Sequence, residues 1–141
     1  MFRSATAYQT PLCVFTPPGS DSLRIALLIS QFTQCQFAVR SGGHSPNPGW
    51  ANINGGLLIS LKGFTDLMYD EATQTQRSGM GNTWGDIYQY MRSFGRLVVG
   101  GRLNSVGLGL ATGGELTFDA ELYLNPLIKT RLRRTFIKTC Y

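Results

Sequence analysis

Apolar residues come in short runs in this chain, and the period of the runs changes along it. Residues 12–15, LCVF, form a compact apolar block closed by Thr16-Pro17-Pro18. A short apolar block stopped by prolines predicts a buried strand. Beyond them, SLRIALLISQF places Leu23, Leu27 and Leu28 on one helical face with Phe32 near it. Ser20 or Asp21 is expected to cap this helix. QFAVR predicts a second strand, ending in Ser41-Gly42-Gly43-His44. SPNPG, residues 45–49, is a loop stiffened by prolines, and LLISL, residues 57–61, predicts a strand buried on both faces. Strand, helix and strand in this order predict a small parallel unit.

The second part of the chain has a different rhythm. DLMYD and QTQRSG flank Glu71-Ala72-Thr73 and predict a β-hairpin. Thr83 and Asp86 have the spacing of a capping box, in which hydroxyl and carboxylate each satisfy an orphan backbone N–H. Trp84, Ile87, Met91 and Phe94 then make an apolar helical stripe, and Gly95 supplies a left-handed stop. RLVV predicts another strand, running straight into Gly100-Gly101. No repeat at solenoid spacing is present. The fold class expected is α+β: a small parallel β-α-β subdomain, then a hairpin, a helix and the start of a second, mixed or antiparallel sheet. An incomplete second sheet is expected to leave exposed, aggregation-prone edge strands.

Composition narrows the classes. The 141 residues suit one domain, and 43% of them are hydrophobic, enough for a real core. The net charge of +5 looks like a hint of nucleic acid or membrane binding. Its location weakens that hint. Lys129, Arg131, Arg133, Arg134 and Lys138 lie in residues 127–141 with no acidic residue among them, whereas residues 1–126 carry eight basic and eight acidic groups. The body is neutral, so neither a nucleic acid nor a membrane is an expected partner. Cys13, Cys35 and Cys140 are far apart and form no Cys-x-x-Cys pair, so no metal site is expected. The opening MFRSATAYQTPLCVF lacks the apolar core of a secretory leader, and no run approaches the ~20 apolar residues of a membrane span. As written, the chain is expected to stay where it is made.

Two stretches carry candidate chemistry, and each follows a predicted strand. RSGGHS, residues 40–45, holds the single histidine, His44. Successive glycines let backbone N–H groups converge on an anion, most often a phosphate, and Arg40 can add a charge-assisted bond. The second stretch, residues 100–115, carries Gly100, Gly101, Gly107, Gly109, Gly113 and Gly114. So many glycines imply backbone lying against a long, flat or phosphorylated ligand. Plainer readings stand beside these: a Gly-Gly pair after a strand is commonly a turn, and a lone histidine is commonly structural. Gly107-x-Gly109-x-x-x-Gly113 lacks the spacing and the acidic residue of a dinucleotide fingerprint. A hydrolytic set of His44, Ser45 and an aspartate can be imagined, but no Gly-x-Ser-x-Gly elbow is present. The residues alone point to a phosphate-bearing cofactor close to His44, without naming it.

Together the motifs name a family. FAVRSGGHSPNPGWANINGGLLISLKGF and SGMGNTWGDIYQYMRSFGRLVVGGRLNSVGLG resemble the PCMH-type FAD-binding domain of the vanillyl-alcohol oxidase and p-cresol methylhydroxylase superfamily. The resemblance is closest to fungal berberine-bridge-enzyme-like oxidases and covers residues 10–118. It implies that His44 bonds covalently to the 8α carbon of FAD. A neutral imidazole nitrogen is a competent nucleophile toward an electrophilic flavin carbon. It also implies that Arg40, Ser41, Gly42, Gly43, His44 and Ser45 cradle the pyrophosphate. Gly100, Gly101, Val106, Gly107 and Gly109, with Gly113 and Gly114, would line the rest of the cofactor. Some members add a second flavin link through a cysteine just before the VG-x-G run. Leu103 holds that place here, so one attachment is expected.

The chain also departs from the family. After VGLG it reads LATGGELTF, one residue short, with Glu115 in place of a third glycine. A carboxylate beside a pyrophosphate is repulsive. Residues 1–9 form an N-terminal remnant, and residues 119–141 form a basic tail that resembles nothing in the family. The expectation is a truncated or misassembled product: the FAD-binding part of an FAD-linked oxidoreductase, acting in its full-length form on a small organic molecule with O2 as acceptor. The alternative is a non-catalytic remnant or interaction protein. Its basic tail, with Leu127, Ile128, Leu132, Phe136 and Ile137, would meet acidic lipid or nucleic acid.

Overall fold

Three strands run in parallel: β1 (Cys13–Phe15), β2 (Phe37–Arg40) and β3 (Leu57–Ser60), with β3 in the middle. This is a computed structural model, and it describes residues 8–112. The register sets Cys13 and Phe37 on either side of Leu57, and Val14 and Ala38 on either side of Leu58. Side chains alternate faces along a strand, and the central strand is buried on both: Leu58 and Ile59 are core residues. That is why LLIS is apolar with no alternation.

Helix α1 (Ser20–Thr33) connects β1 to β2. Gly19, not Ser20 or Asp21, holds its cap position, and no side chain caps it. The extended Gly19 backbone already offers its carbonyl to the Leu23 N–H at 3.1 Å, so the helix starts earlier than expected. Asp21 falls in the first turn, where a negative charge suits the helix dipole. The apolar face also differs from the expected one. Ser30 is buried and Leu23 and Leu27 are half-buried, whereas Leu28 is exposed and Phe32 is 90% exposed. Ser22, Ile25, Ala26, Ile29, Ser30 and Thr33 are the helix residues turned toward Cys13, Phe15 and Leu57 of the sheet, and residues 28 and 32 are not among them.

The second body is antiparallel. Strands β4 (Leu67–Asp70) and β5 (Thr75–Ser78) form the expected hairpin, with Leu67 opposite Ser78 and Asp70 opposite Thr75. Helix α2 (Trp84–Arg92) packs on it, and its expected capping box is present. The Thr83 N–H donates to the Asp86 carboxylate at 2.8 Å, and the Asp86 N–H donates to the Thr83 hydroxyl at 3.4 Å. Trp84, Ile87, Met91 and Val106 form the core of this body, flanked by Leu67, Tyr69, Val98 and Leu108. Phe94 stays at the rim, its ring 5.2 Å from those of Tyr69 and Tyr90. Gly95, with φ of 65°, ends the helix as expected.

RLVV is not a strand. Residues 96–99 pair with no strand among the described residues. The Arg96 N–H is spent on the Met91 carbonyl at 3.1 Å and Val98 packs against α2. An apolar run becomes a strand only where a hydrogen-bonding neighbour exists. Among the described residues, no helix is long and apolar enough to cross a membrane, and no group of three or more metal-ligating side chains forms.

Candidate functional site

The histidine loop leaves the carboxyl end of β2, which is where parallel sheets present loops to ligands. Buried Ala38 anchors the strand in the sheet. Arg40 turns back beside the loop, its Nε–H donating to the Ala51 carbonyl at 2.7 Å. Gly43 has φ of +70°, a conformation that side chains disfavour. A reversal of this kind turns successive N–H groups toward one side. The N–H groups of Gly42 and Gly43 bond to no other described residue. His44 and Ser45 follow, both half-buried, and the Ser45 hydroxyl accepts the Asn47 N–H at 3.3 Å.

The glycine-rich loop is held by the start of α2. The Trp84 N–H donates to the Val106 carbonyl at 2.9 Å, the Gly85 N–H to Asn104 at 3.0 Å, and the Leu108 N–H to Asn82 at 3.1 Å. Thr83 and Gly107 form an antiparallel bridge. Farther along α2, the Tyr88 hydroxyl donates to the Gly101 carbonyl at 2.7 Å. A Cβ on Gly100 would overlap the Trp84 ring, so packing alone requires glycine there. The Val106 side chain belongs to the core, and its N–H donates to the Leu103 carbonyl at 3.1 Å.

The two loops meet. A Cβ on Gly42 would stand 2.5 Å from the Gly107 nitrogen, and a Cβ on Gly107 would overlap Gly42 in return. The Ser41 hydroxyl donates to the Met80 carbonyl and accepts the Gly109 N–H at 3.1 Å, across 68 positions of sequence. Ser41 and Gly42 are therefore brought against Gly107 and Gly109, and Arg40, Gly43, His44 and Ser45 adjoin them in the chain. Gly100 and Gly101 lie farther along, against α2. Gly113 and Gly114 lie outside the described residues, as do Glu115 and the basic tail.

Sequence reasoning missed residues 79–82, which lie between the two loops. The Gly79 and Gly81 N–H groups donate to the Asp66 and Phe64 carbonyls at 2.7 and 2.8 Å, and this fixes Met80 where Ser41 reaches it. The signal was present in the Gly-x-Gly before the capping box: a Cβ at Gly79 or Gly81 would overlap the Phe64 or Leu61 carbonyl.

A family model described as an FAD binding domain matches residues 11–122. The bifunctional solanapyrone synthase of Alternaria solani is 49% identical over 120 residues, 85% of this chain and 23% of that protein. The FAD-dependent monooxygenase tpcD of Cochliobolus heterostrophus is 37% identical over 114 residues, 80% of this chain and 22% of that one. The crystal structure of 6-hydroxy-D-nicotine oxidase from Arthrobacter nicotinovorans superimposes with a TM-score of 0.69 at 27% identity, over 74% of this chain and 23% of that chain. The BBE-like 1 protein of Physcomitrella patens, 19% identical, shares the fold with a TM-score of 0.66 over 79% of this chain and 25% of its own. The chain thus spans about a quarter of the length of these proteins. It belongs to the FAD-binding domain family found in FAD-linked oxidoreductases, and its cofactor is FAD.

Proposed function

We propose that FAD lies across the junction of the two loops, joined through an imidazole nitrogen of His44 to its 8α carbon. The observation that carries this reading is the contact of Gly42 with Gly107. It sets the histidine loop and the glycine loop side by side, with the Gly42 and Gly43 N–H groups left to bond an anion. Backbone donors held in a fixed reversal meet phosphate charge without any side chain having to reorganise. Arg40 through Ser45 would face the pyrophosphate, and Gly100, Gly101, Val106, Gly107 and Gly109 would line the rest. FAD, when bound, supplies the hydride chemistry. The chain binds it, orients it and, through His44, keeps it from leaving. Residues 10–118 would form this domain, with 1–9 and 119–141 outside it.

In the whole protein this domain would serve an oxidoreductase that acts on a small organic substrate, with O2 as the electron acceptor. Relatives named as an FAD-dependent monooxygenase and a nicotine-derivative oxidase support that class. The substrate pocket and the catalytic base would belong to the rest of the length that the relatives have. Leu103 is 57% exposed and carries no thiol, which supports a single attachment.

The test is the intact mass of the denatured 141-residue chain, purified after expression with excess FAD. One added FAD in the wild type and none in His44→Ala is the expected result. An adduct that survives in His44→Ala would place the link elsewhere, and an unmodified wild type would sink the covalent reading.

A further inference from the structure

We infer that Ser41 is a positioning residue: its hydroxyl locks the glycine loop onto the histidine loop and does not bond the cofactor. The inference rests on the FAD reading above. A serine hydroxyl has one proton and two lone pairs. The Ser41 proton goes to the Met80 carbonyl, and one lone pair takes the Gly109 N–H at 3.1 Å. An anionic phosphate needs donors, and this hydroxyl has none left. What it does instead is join three segments. Ser41 follows β2 of the parallel body. Met80 is fixed by its glycine neighbours to the antiparallel body, where the Gly79 N–H bonds Asp66 and the Gly81 N–H bonds Phe64. Gly109 belongs to the glycine loop.

The need for such a lock follows from the contact beside it. Gly42 and Gly107 touch through bare backbone, with no side chain from either to interlock. Backbone surfaces in contact slide unless a directional bond sets their register. The Ser41 hydroxyl, on the histidine-loop side of that contact, supplies two bonds across it, to Met80 and to Gly109. The free Gly42 and Gly43 donors and the glycine loop would then face the same cofactor in one fixed relation.

The experiment compares amide hydrogen exchange in the FAD-free 141-residue chain, wild type against Ser41→Ala, with FAD affinity measured separately by quenching of flavin fluorescence. The Gly109 amide, bonded to Ser41, is expected to exchange about tenfold faster in the variant. The neighbouring Leu108 amide bonds Asn82 instead, so its exchange is expected to stay unchanged. FAD affinity is expected to fall about tenfold, and Ser41→Thr, which keeps the hydroxyl, to recover both. Weaker FAD binding with Gly109 exchange unchanged would mean that the hydroxyl touches the cofactor, and would overturn the inference. Equal acceleration of Leu108 and Gly109 would also overturn it, since general loosening moves both. A wild type that binds no FAD would sink the FAD reading alone, because the exchange comparison still decides whether the lock exists.

Discussion

Gly42 and Gly107 lie backbone against backbone, so closely that neither position has room for a methyl group. The obstacle in each case is main chain, which cannot swing aside as a side chain can. Gly107→Ala is therefore expected to cost about 2 kcal/mol or more of stability and to weaken FAD binding at least tenfold. Gly19→Ala, with nothing within 4 Å of the new methyl, is the matched control. Thermal melting and FAD titration of both variants check this. An alanine at 107 with wild-type affinity would mean that the two loops part in solution.

The capping box of α2 does more than start a helix, because Thr83 also bridges Gly107. Removing a capping hydroxyl typically costs about 1 kcal/mol. Thr83→Ala should lower the urea midpoint accordingly, with the slope of the transition unchanged. Asp86→Ala should cost a similar amount, and the double variant should cost less than the two together, because they share one set of bonds. Full additivity would show that the two groups act separately.

Asp70 gives the hairpin an acid-sensitive turn. The Thr73 hydroxyl, followed by the Thr73 and Ala72 N–H groups, donates to its carboxylate and holds its pKa below the ordinary aspartate value. A depressed folded-state pKa means that the stabilisation is complete above the unfolded value and is lost as pH falls through the folded one. The Thr73 and Ala72 amide resonances should therefore titrate with a midpoint below that of an unstructured aspartate. Asp70→Asn should flatten both curves. A midpoint at the ordinary value would show that these bonds do not persist in water.

Short-range features were legible in the chain because their causes are short-range. Thr83 and Asp86 sit three positions apart, and nothing beyond that spacing is needed to make their box. The hairpin between Leu67 and Ser78 and the left-handed stop at Gly95 follow from turn chemistry within a few residues. The reversal after β2 was legible for another reason: RSGGHS carries paired glycines, and Gly43 takes φ of +70°. The apolar face of α1 was misjudged because apolar spacing does not say which face meets the sheet, and Phe32 is not among the residues turned toward it.

What lay beyond the chain's local pattern was partnership across distance. RLVV has the composition of a strand, but composition does not provide a neighbour, and residues 96–99 pair with none among the described residues. Only the packed molecule shows that a side chain at Gly100 would run into the Trp84 ring. Ser41 lies in the loop expected to cradle the pyrophosphate, and only the packed molecule shows its proton going to Met80 and a lone pair to Gly109. The sequence carried the list of groups able to bind a flavin. Which of them still have hydrogen-bonding capacity to offer was settled by packing, because a donor or lone pair spent on a distant backbone group is no longer available to a ligand.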